Sequence, residues 1–419
     1  TVIPQMIYDK TGIQSIVVAN NMESTKSSYW AVREIADRFP KAKIFVELYT
    51  ASTEYNEDMH HNYYTSAIRR MPEWSIYKYL GLRDLIKNGN DINWQYYFRF
   101  FSSRSQCFDL KYEDFPVANK NRLLECKGYD PRFNIMEGGV FEKNDLTENE
   151  KASINISDEN LEYIQKIVDL SNDQKFDVFF FVSPYLTNSS EDYKYQLIDD
   201  FVEKNNKKIL NFNSLKEELQ LLDGMYYKDE GHTNYYGASV VTDYLSWYLA
   251  DMFPKDFIEN REKDEIWERY EGCYNKWLSF QQLSTITDVK EYFDILESYK
   301  SDVLVLMAIQ GDKEAFFNRI KAEGMTDLYA SIGITGSDSE SFFVLGTGQE
   351  RAEFEKIEFN YGNRAMVLKS EGGEANILID CIDMSKKVNG INICVFNAED
   401  MTLIDNAAVW NGTPNKIVR

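Results

Sequence analysis

Histidine is scarce in this chain, three residues in 419, so each imidazole is a candidate for chemistry. His232 lies in the run Lys228-Asp229-Glu230-Gly231-His232-Thr233-Asn234-Tyr235-Tyr236-Gly237, just after an expected strand and at the entry of an expected helix. An aspartate three residues before a histidine on such a loop can accept the Nδ1 proton, which leaves Nε2 free to take a proton from a serine hydroxyl. Asp229 and His232 are then two thirds of a catalytic triad. The same residues fit a plainer account, in which His232 packs at a helix start and Asp229 or Thr233 is the N-cap. Ligands gather beyond the carboxyl ends of strands in open α/β sheets, where this loop must lie. Spacing and position together leave both accounts open.

The other two imidazoles, His60 and His61, invite a metal site. Adjacent residues point in different directions on a helix or strand, and no third-ligand motif such as HExxH accompanies them, so no metal and no cofactor is expected. The five cysteines, Cys107, Cys126, Cys273, Cys381 and Cys394, are scattered without a CxxC, which supports neither a thiolate zinc site nor a dense disulfide framework.

The elements that must carry these residues are read from periodicity. Between about residues 15 and 250, short apolar runs alternate with longer helical patterns, the signature of a parallel α/β sheet. Four strands are expected: Ser15 to Ala19, Lys43 to Tyr49, Asp177 to Val182 and Lys208 to Phe212. Helices are expected at Ser24 to Phe39, Leu161 to Leu170, Glu191 to Lys204 and Tyr235 to Met252. Residues 51 to 155 interrupt the alternation with a polar and aromatic insertion that includes Trp94, Tyr96, Tyr97, Phe98, Phe100 and Phe101; such rings pack as a local core more often than they bind ligand. Beyond Pro254 a charged helical linker runs from 255 to 299. From 300 to 419, short strand-like runs, among them Val303 to Ile309, Tyr329 to Ile334 and Ile391 to Phe396, suggest a mostly β second domain with one helix near Lys313 to Lys321.

Composition narrows the function. The chain has 46 basic and 68 acidic side chains, a formal net charge of −22, with 43% hydrophobic and 15% aromatic residues. That apolar content suits a folded protein rather than an acidic disordered tail. The negative balance repels phosphate backbones and no basic stripe reverses it, so nucleic acid is not an expected partner. The longest apolar runs fall far short of the roughly 20 residues of a membrane span. The chain opens on Thr1 rather than Met, which suggests processing or trimming.

The stretch DEGHTNYYGASVVTDYLSWYL resembles the closing block of SGNH (GDSL-type) serine hydrolases, in particular a bacterial cell-surface branch of polysaccharide O-acyltransferases and esterases. Residues from Ile3-Pro4 through Gly12 to Leu48 are similar to the early segment of that branch. Over residues 1–254 the resemblance implies a three-layer α/β/α, flavodoxin-like domain in which Asp229 and His232 complete the triad. It further implies that the nucleophilic serine, carried in a Gly-x-Ser turn after the first strand, precedes Thr1. Ser24, Ser27 and Ser28 are the nearest serines but fall in the following helix. The second-block glycine of the family falls near Asn20, which makes Asn20, or its neighbour Asn21, a candidate oxyanion donor. The third-block asparagine has no match after Tyr49. The stretches SFFVLGTGQERAEFEKIEFNYG and EANILIDCIDMSKKVNGINICVFNAEDMTLIDNAAVW resemble the interleukin-like EMT-inducer type of β-sandwich attached to bacterial surface-polymer enzymes. Together these resemblances imply an extracytoplasmic enzyme with a carbohydrate or cell-wall polymer as substrate and a possible membrane anchor outside the chain. A noncatalytic glycan-binding or scaffold protein with a degenerate SGNH domain is the alternative.

Overall fold

The structure is a computed structural model that describes residues 1–19, 23–53, 68, 71–72, 74–85, 127–136, 145–254, 264–331, 342–345, 356–361, 364–371, 373–399 and 401–419. The chain mixes helices with one parallel and several antiparallel sheets, and it divides into two compact units, one drawn from residues 1–262 and the other formed chiefly by 263–419. The aromatic insertion residues from Trp94 to Phe101, the pair His60 and His61, and Asn20 and Asn21 lie outside the described residues.

In the first unit three parallel strands, Ile44–Glu47 (β1), Val178–Val182 (β2) and Ile209–Asn211 (β3), form a sheet in that order. Side chains alternate between its faces. Ile44, Val46, Val178, Phe180 and Val182 pack against Val32 and Ala36 of helix Thr25–Arg38 (α1). They also meet Ile164, Ile167 and Val168 of helix Asp158–Gln174 (α2), and Ile198 and Val202 of helix Ser189–Lys204 (α3). Phe45, Phe181 and Leu210 pack on the other side with Ile7, from the N-terminal helix Pro4–Thr11, and with Val241, Leu245 and Leu249 of helix Tyr235–Met252 (α4). Each fully buried aliphatic contributes roughly 1.5–3 kcal/mol, which is why short strands suffice once helices cover both faces.

The helix starts follow local chemistry. Ser24 accepts from the Ser27 N–H at 3.2 Å, and Asn188 and Glu191 form a reciprocal capping box at the start of α3. One expected element is corrected. Ser15 to Ala19 is not a strand: residues 12–19 are without regular structure, Ile16 is 64% and Val18 59% exposed, and the Val17 N–H donates to the Lys127 carbonyl at 2.8 Å. An apolar run becomes a strand only beside a ladder partner. Among the described residues, 15–19 join none of the three strands.

The second unit contains a five-stranded sheet and a four-stranded one. The larger orders Ile417–Val418, Leu403–Trp410 (β6), Gly390–Asn397 (β5), Val303–Gln310 (β4) and Phe342–Leu345; the smaller orders Ile382–Asp383, Glu374–Ile379, Arg364–Glu371 and Lys356–Tyr361. Leu304, Leu306, Ala308, Cys394 and Phe396 of the first face Met366, Leu368, Ala375 and Ile377 of the second across one core. All eight positions of β5 are buried, because helices cover the outer side of its sheet. The segment expected as a linker supplies two of them, Glu265–Leu283 and Val289–Ser298. The Tyr292 hydroxyl donates to Asp405 at 2.9 Å, and Arg419 bridges the Asp405 carboxylate and the carbonyls of Leu283 and Ile286. Tyr329, expected in a strand, lies in the short helix Thr326–Ser331, its ring packed against Phe293 and Phe316.

Candidate active site

After β3 the chain returns through a hairpin of two short strands, Tyr227–Asp229 and His232–Thr233, with Glu230 and Gly231 at its tip and a register shift between Tyr227 and Asp229. Such a bulge re-aims side chains. The hairpin leads into α4, and the residue that caps this helix is Asn234: its side-chain oxygen accepts from the Gly237 N–H at 3.1 Å. Its amide nitrogen donates to the carbonyls of Met225 (2.6 Å) and Asn134 (3.1 Å). Gly237 leaves no room for a side chain, since a Cβ there would fall 2.2 Å from the Tyr226 carbonyl oxygen. Neither Asp229 nor Thr233 is the cap, which corrects the plainer account of this motif and leaves Asp229 available to His232.

Asp229 and His232 meet at 2.7 Å between Oδ1 and Nδ1, and the same Oδ1 accepts the Gly231 N–H at 3.0 Å. The Lys228 ammonium lies 3.4 Å from Oδ2. Burial opposes ionisation of Asp229, but the bonds from His232 and Gly231 and the Lys228 charge outweigh it and hold the carboxyl below its usual range. A carboxylate at Nδ1 selects the tautomer with its proton there and its lone pair on Nε2. The His232 side chain is 68% exposed, and among the described residues its Nε2 has no hydrogen-bond partner. The imidazole thus faces solvent with Nε2 open.

Residues at the three strand ends are linked to one another and, through Tyr49 and Leu186, to the hairpin. Glu47 ends β1 and accepts both the backbone N–H and the hydroxyl of Ser183, which follows β2, at 2.7 Å each. Burial pushes the Glu47 carboxyl above its usual range, against the lowering effect of those two bonds. Asn213, beyond β3, accepts the Tyr185 N–H at 3.1 Å and donates to the Ser183 carbonyl at 3.3 Å. The Leu186 N–H donates to the Glu230 carbonyl at 2.8 Å, which ties the segment after β2 to the hairpin tip. Tyr49, two residues past β1, lays its ring alongside that of His232, centroids 6.5 Å apart and planes within 19°. Thr1 also lies here: the Thr233 hydroxyl donates to its hydroxyl at 3.4 Å.

Sequence reasoning therefore named the histidine and the aspartate and missed Tyr49, Glu47, Ser183 and Asn213. Their common signal is position, at or just past the carboxyl end of a strand. Ser24 and Ser27 are buried at the start of α1 and engaged with each other, and Ser28 bonds Glu23, so none of them faces the imidazole. No group of three or more metal-ligating side chains occurs among the described residues, and no described helix is long and apolar enough to cross a membrane. In comparison with known proteins, the chain matches no family model, no curated protein and no solved structure.

Proposed function

We propose that this chain is the greater part of an extracytoplasmic serine-type acyl-transfer enzyme that removes or moves an O-acyl (acetyl) group on a cell-surface polysaccharide. The observation that carries this reading is the solvent-facing imidazole of His232, held at Nδ1 by an ionised Asp229 on the loop that follows the last strand of a parallel sheet. That is the arrangement a serine nucleophile requires of its base.

The nucleophile is a serine N-terminal to Thr1 in the parent polypeptide, within the SGNH-type three-layer fold. Two features support that position: the Thr1 hydroxyl lies beside Thr233, the neighbour of His232, and β1 has an edge without a described partner, where a further strand fits. Nε2 takes the serine proton as the hydroxyl oxygen attacks the ester carbon. The tetrahedral intermediate collapses when Nε2 returns that proton to the departing sugar oxygen, leaving an acyl-enzyme. Attack by water then gives an esterase, and attack by a second sugar hydroxyl gives a transferase; in each case Nε2 takes the attacking proton and returns it to the serine oxygen as the acyl–serine bond breaks. Asn20 is the proposed oxyanion donor. No cofactor enters this scheme. The β unit, on its resemblance to envelope-associated sandwiches, serves the glycan context.

The test compares the full-length parent protein with His232→Ala on an aryl acetate, and labels both with a fluorophosphonate. We expect the variant to lose about 10³-fold or more in kcat, as removal of a triad member does elsewhere, and the label to map to a serine upstream of Thr1. Equal rates and no labelled serine would leave the glycan-binding scaffold as the reading.

A further inference from the structure

We propose that Tyr49 is the positioning residue of the Asp229–His232 pair, a rigid wall that fixes the plane of the imidazole and dictates glycine at position 231. The inference rests on the acyl-transfer reading for its catalytic consequence, while its structural part is independent of it.

Tyr49 is held at its main-chain carbonyl by Tyr195 and along its ring by Tyr185. It opens the short 3-10 turn Tyr49–Ser52 directly after β1 and Leu48. Its carbonyl accepts the hydroxyl of Tyr195 at 2.5 Å, and Tyr195, fully buried on α3, also accepts from the Ser52 hydroxyl at 3.0 Å and bonds the Tyr185 hydroxyl at 3.2 Å. The Tyr49 ring itself rests on that of Tyr185, centroids 4.6 Å apart at 56°. Three tyrosines from the ends of β1 and β2 and from α3 thus form one hydroxyl-linked block. The outer face of that block meets His232, at a separation within the 4.5–7 Å range of productive ring pairs. The imidazole, in the second strand of the hairpin, has one hydrogen bond among the described residues, that to Asp229, which fixes Nδ1 but leaves the ring free to tilt about that bond unless a wall stands beside it.

Gly231 shows how close the wall stands. A Cβ built on Gly231 would lie 2.9 Å from the Tyr49 hydroxyl oxygen and 3.7 Å from Asp229 Oδ1. A side chain there would have to move a phenol that the tyrosine block holds in place, and moving it shifts the surface against which His232 lies. The phenol stays neutral, because burial first and then the charges of Glu191, Asp229 and Glu47 push its pKa up. It therefore adds no charge beside the base, and its contribution is shape.

The experiment uses the full-length parent protein with Tyr49→Ala, Tyr49→Phe, Gly231→Ala and the double variant Tyr49→Phe/Gly231→Ala. It reads kcat and KM on an aryl acetate, and the ring resonances of His232, which His232→Ala assigns among the three histidines. Tyr49→Ala is expected to lower kcat about 10-fold or more with KM little changed, as loss of alignment does, and to move the His232 resonances. Tyr49→Phe is expected to restore the greater part of that loss. Gly231→Ala is expected to impair the enzyme when Tyr49 is intact and far less when it is combined with Tyr49→Phe, where the clashing oxygen is gone. An unmoved His232 resonance in Tyr49→Ala, or a Gly231→Ala penalty of the same size in both backgrounds, overturns the inference. If His232→Ala keeps the wild-type rate, the acyl-transfer reading fails, and the resonances alone decide whether Tyr49 positions the ring.

Discussion

Asp199 shows at the scale of one residue how burial sets a proton's behaviour in this molecule. It sits on α3 with one carboxylate oxygen accepting the Asn211 amide at 2.9 Å and the other buried without a hydrogen-bond partner. Burial, only partly offset by Asn211 and reinforced by Glu203 and Asp200, pushes its pKa up to about 6. An unfolded aspartate titrates near 3.9, so between these values the folded state binds the extra proton, and stability from this group falls as pH rises from about 4 to about 6. The cost is absent below both values and complete above 6. Asp199→Asn is therefore expected to leave stability nearly unchanged at pH 4 and to increase it at pH 7.5, by about 1 kcal/mol once solvent screening is allowed for; an equal effect at both pH values in calorimetry would contradict the assignment. Asp229 behaves in the opposite sense, since its partners favour the charged form. Asp229 was legible because partner and spacing are local, whereas nothing near Asp199 in the sequence marks it.

At the scale of elements, the hairpin that carries the candidate pair depends on the cap that follows it. Asn234 is almost wholly buried and satisfies one donor of α4 and two carbonyls, so Asn234→Ala removes the cap and leaves those groups unpaired. A loss of about 1–3 kcal/mol in urea denaturation is expected, and, on the acyl-transfer proposal, a fall in the rate on an aryl acetate that persists at temperatures where the variant is fully folded. A rate unchanged under those conditions would mean that the hairpin holds its shape without α4. The helix itself was readable: Tyr235–Met252 begins and ends where its periodicity indicates, although its cap is Asn234 rather than Asp229 or Thr233. The run Ser15 to Ala19 was misread because composition reports only what a segment can bury, and strand formation also needs a partner of the right register. Tyr329 was misread for a related reason, an aromatic-rich run that a helix packs as readily as a strand. Tyr49 and Glu47 come to the strand ends through the parallel pairing of β1 with β2, a long-range fact that no local pattern carries.

At the scale of the whole molecule, each unit holds its own apolar core, one on the two faces of a parallel sheet and one between antiparallel sheets. The helices from Glu265 to Ser298, expected as a linker, belong with the second unit, and its short strands follow them. The strand Leu403–Trp410 went unread because its polar residues mask the alternation.

Cys394 turns the complete burial of β5 into a clock. Its thiol is sealed between the sheets, and burial first, then the nearby charges of Asp383 and Asp405, push its pKa up to about 12. Almost no thiolate exists there at neutral pH, so an alkylating reagent meets this sulfur only when the sandwich comes apart. Cys381, exposed on the same unit, reacts from the folded state. In a Cys381→Ser variant the slow alkylation of Cys394 therefore counts openings of the second unit alone, whatever the first unit is doing, and a rate as fast as that of a surface thiol would show that the seal is not there.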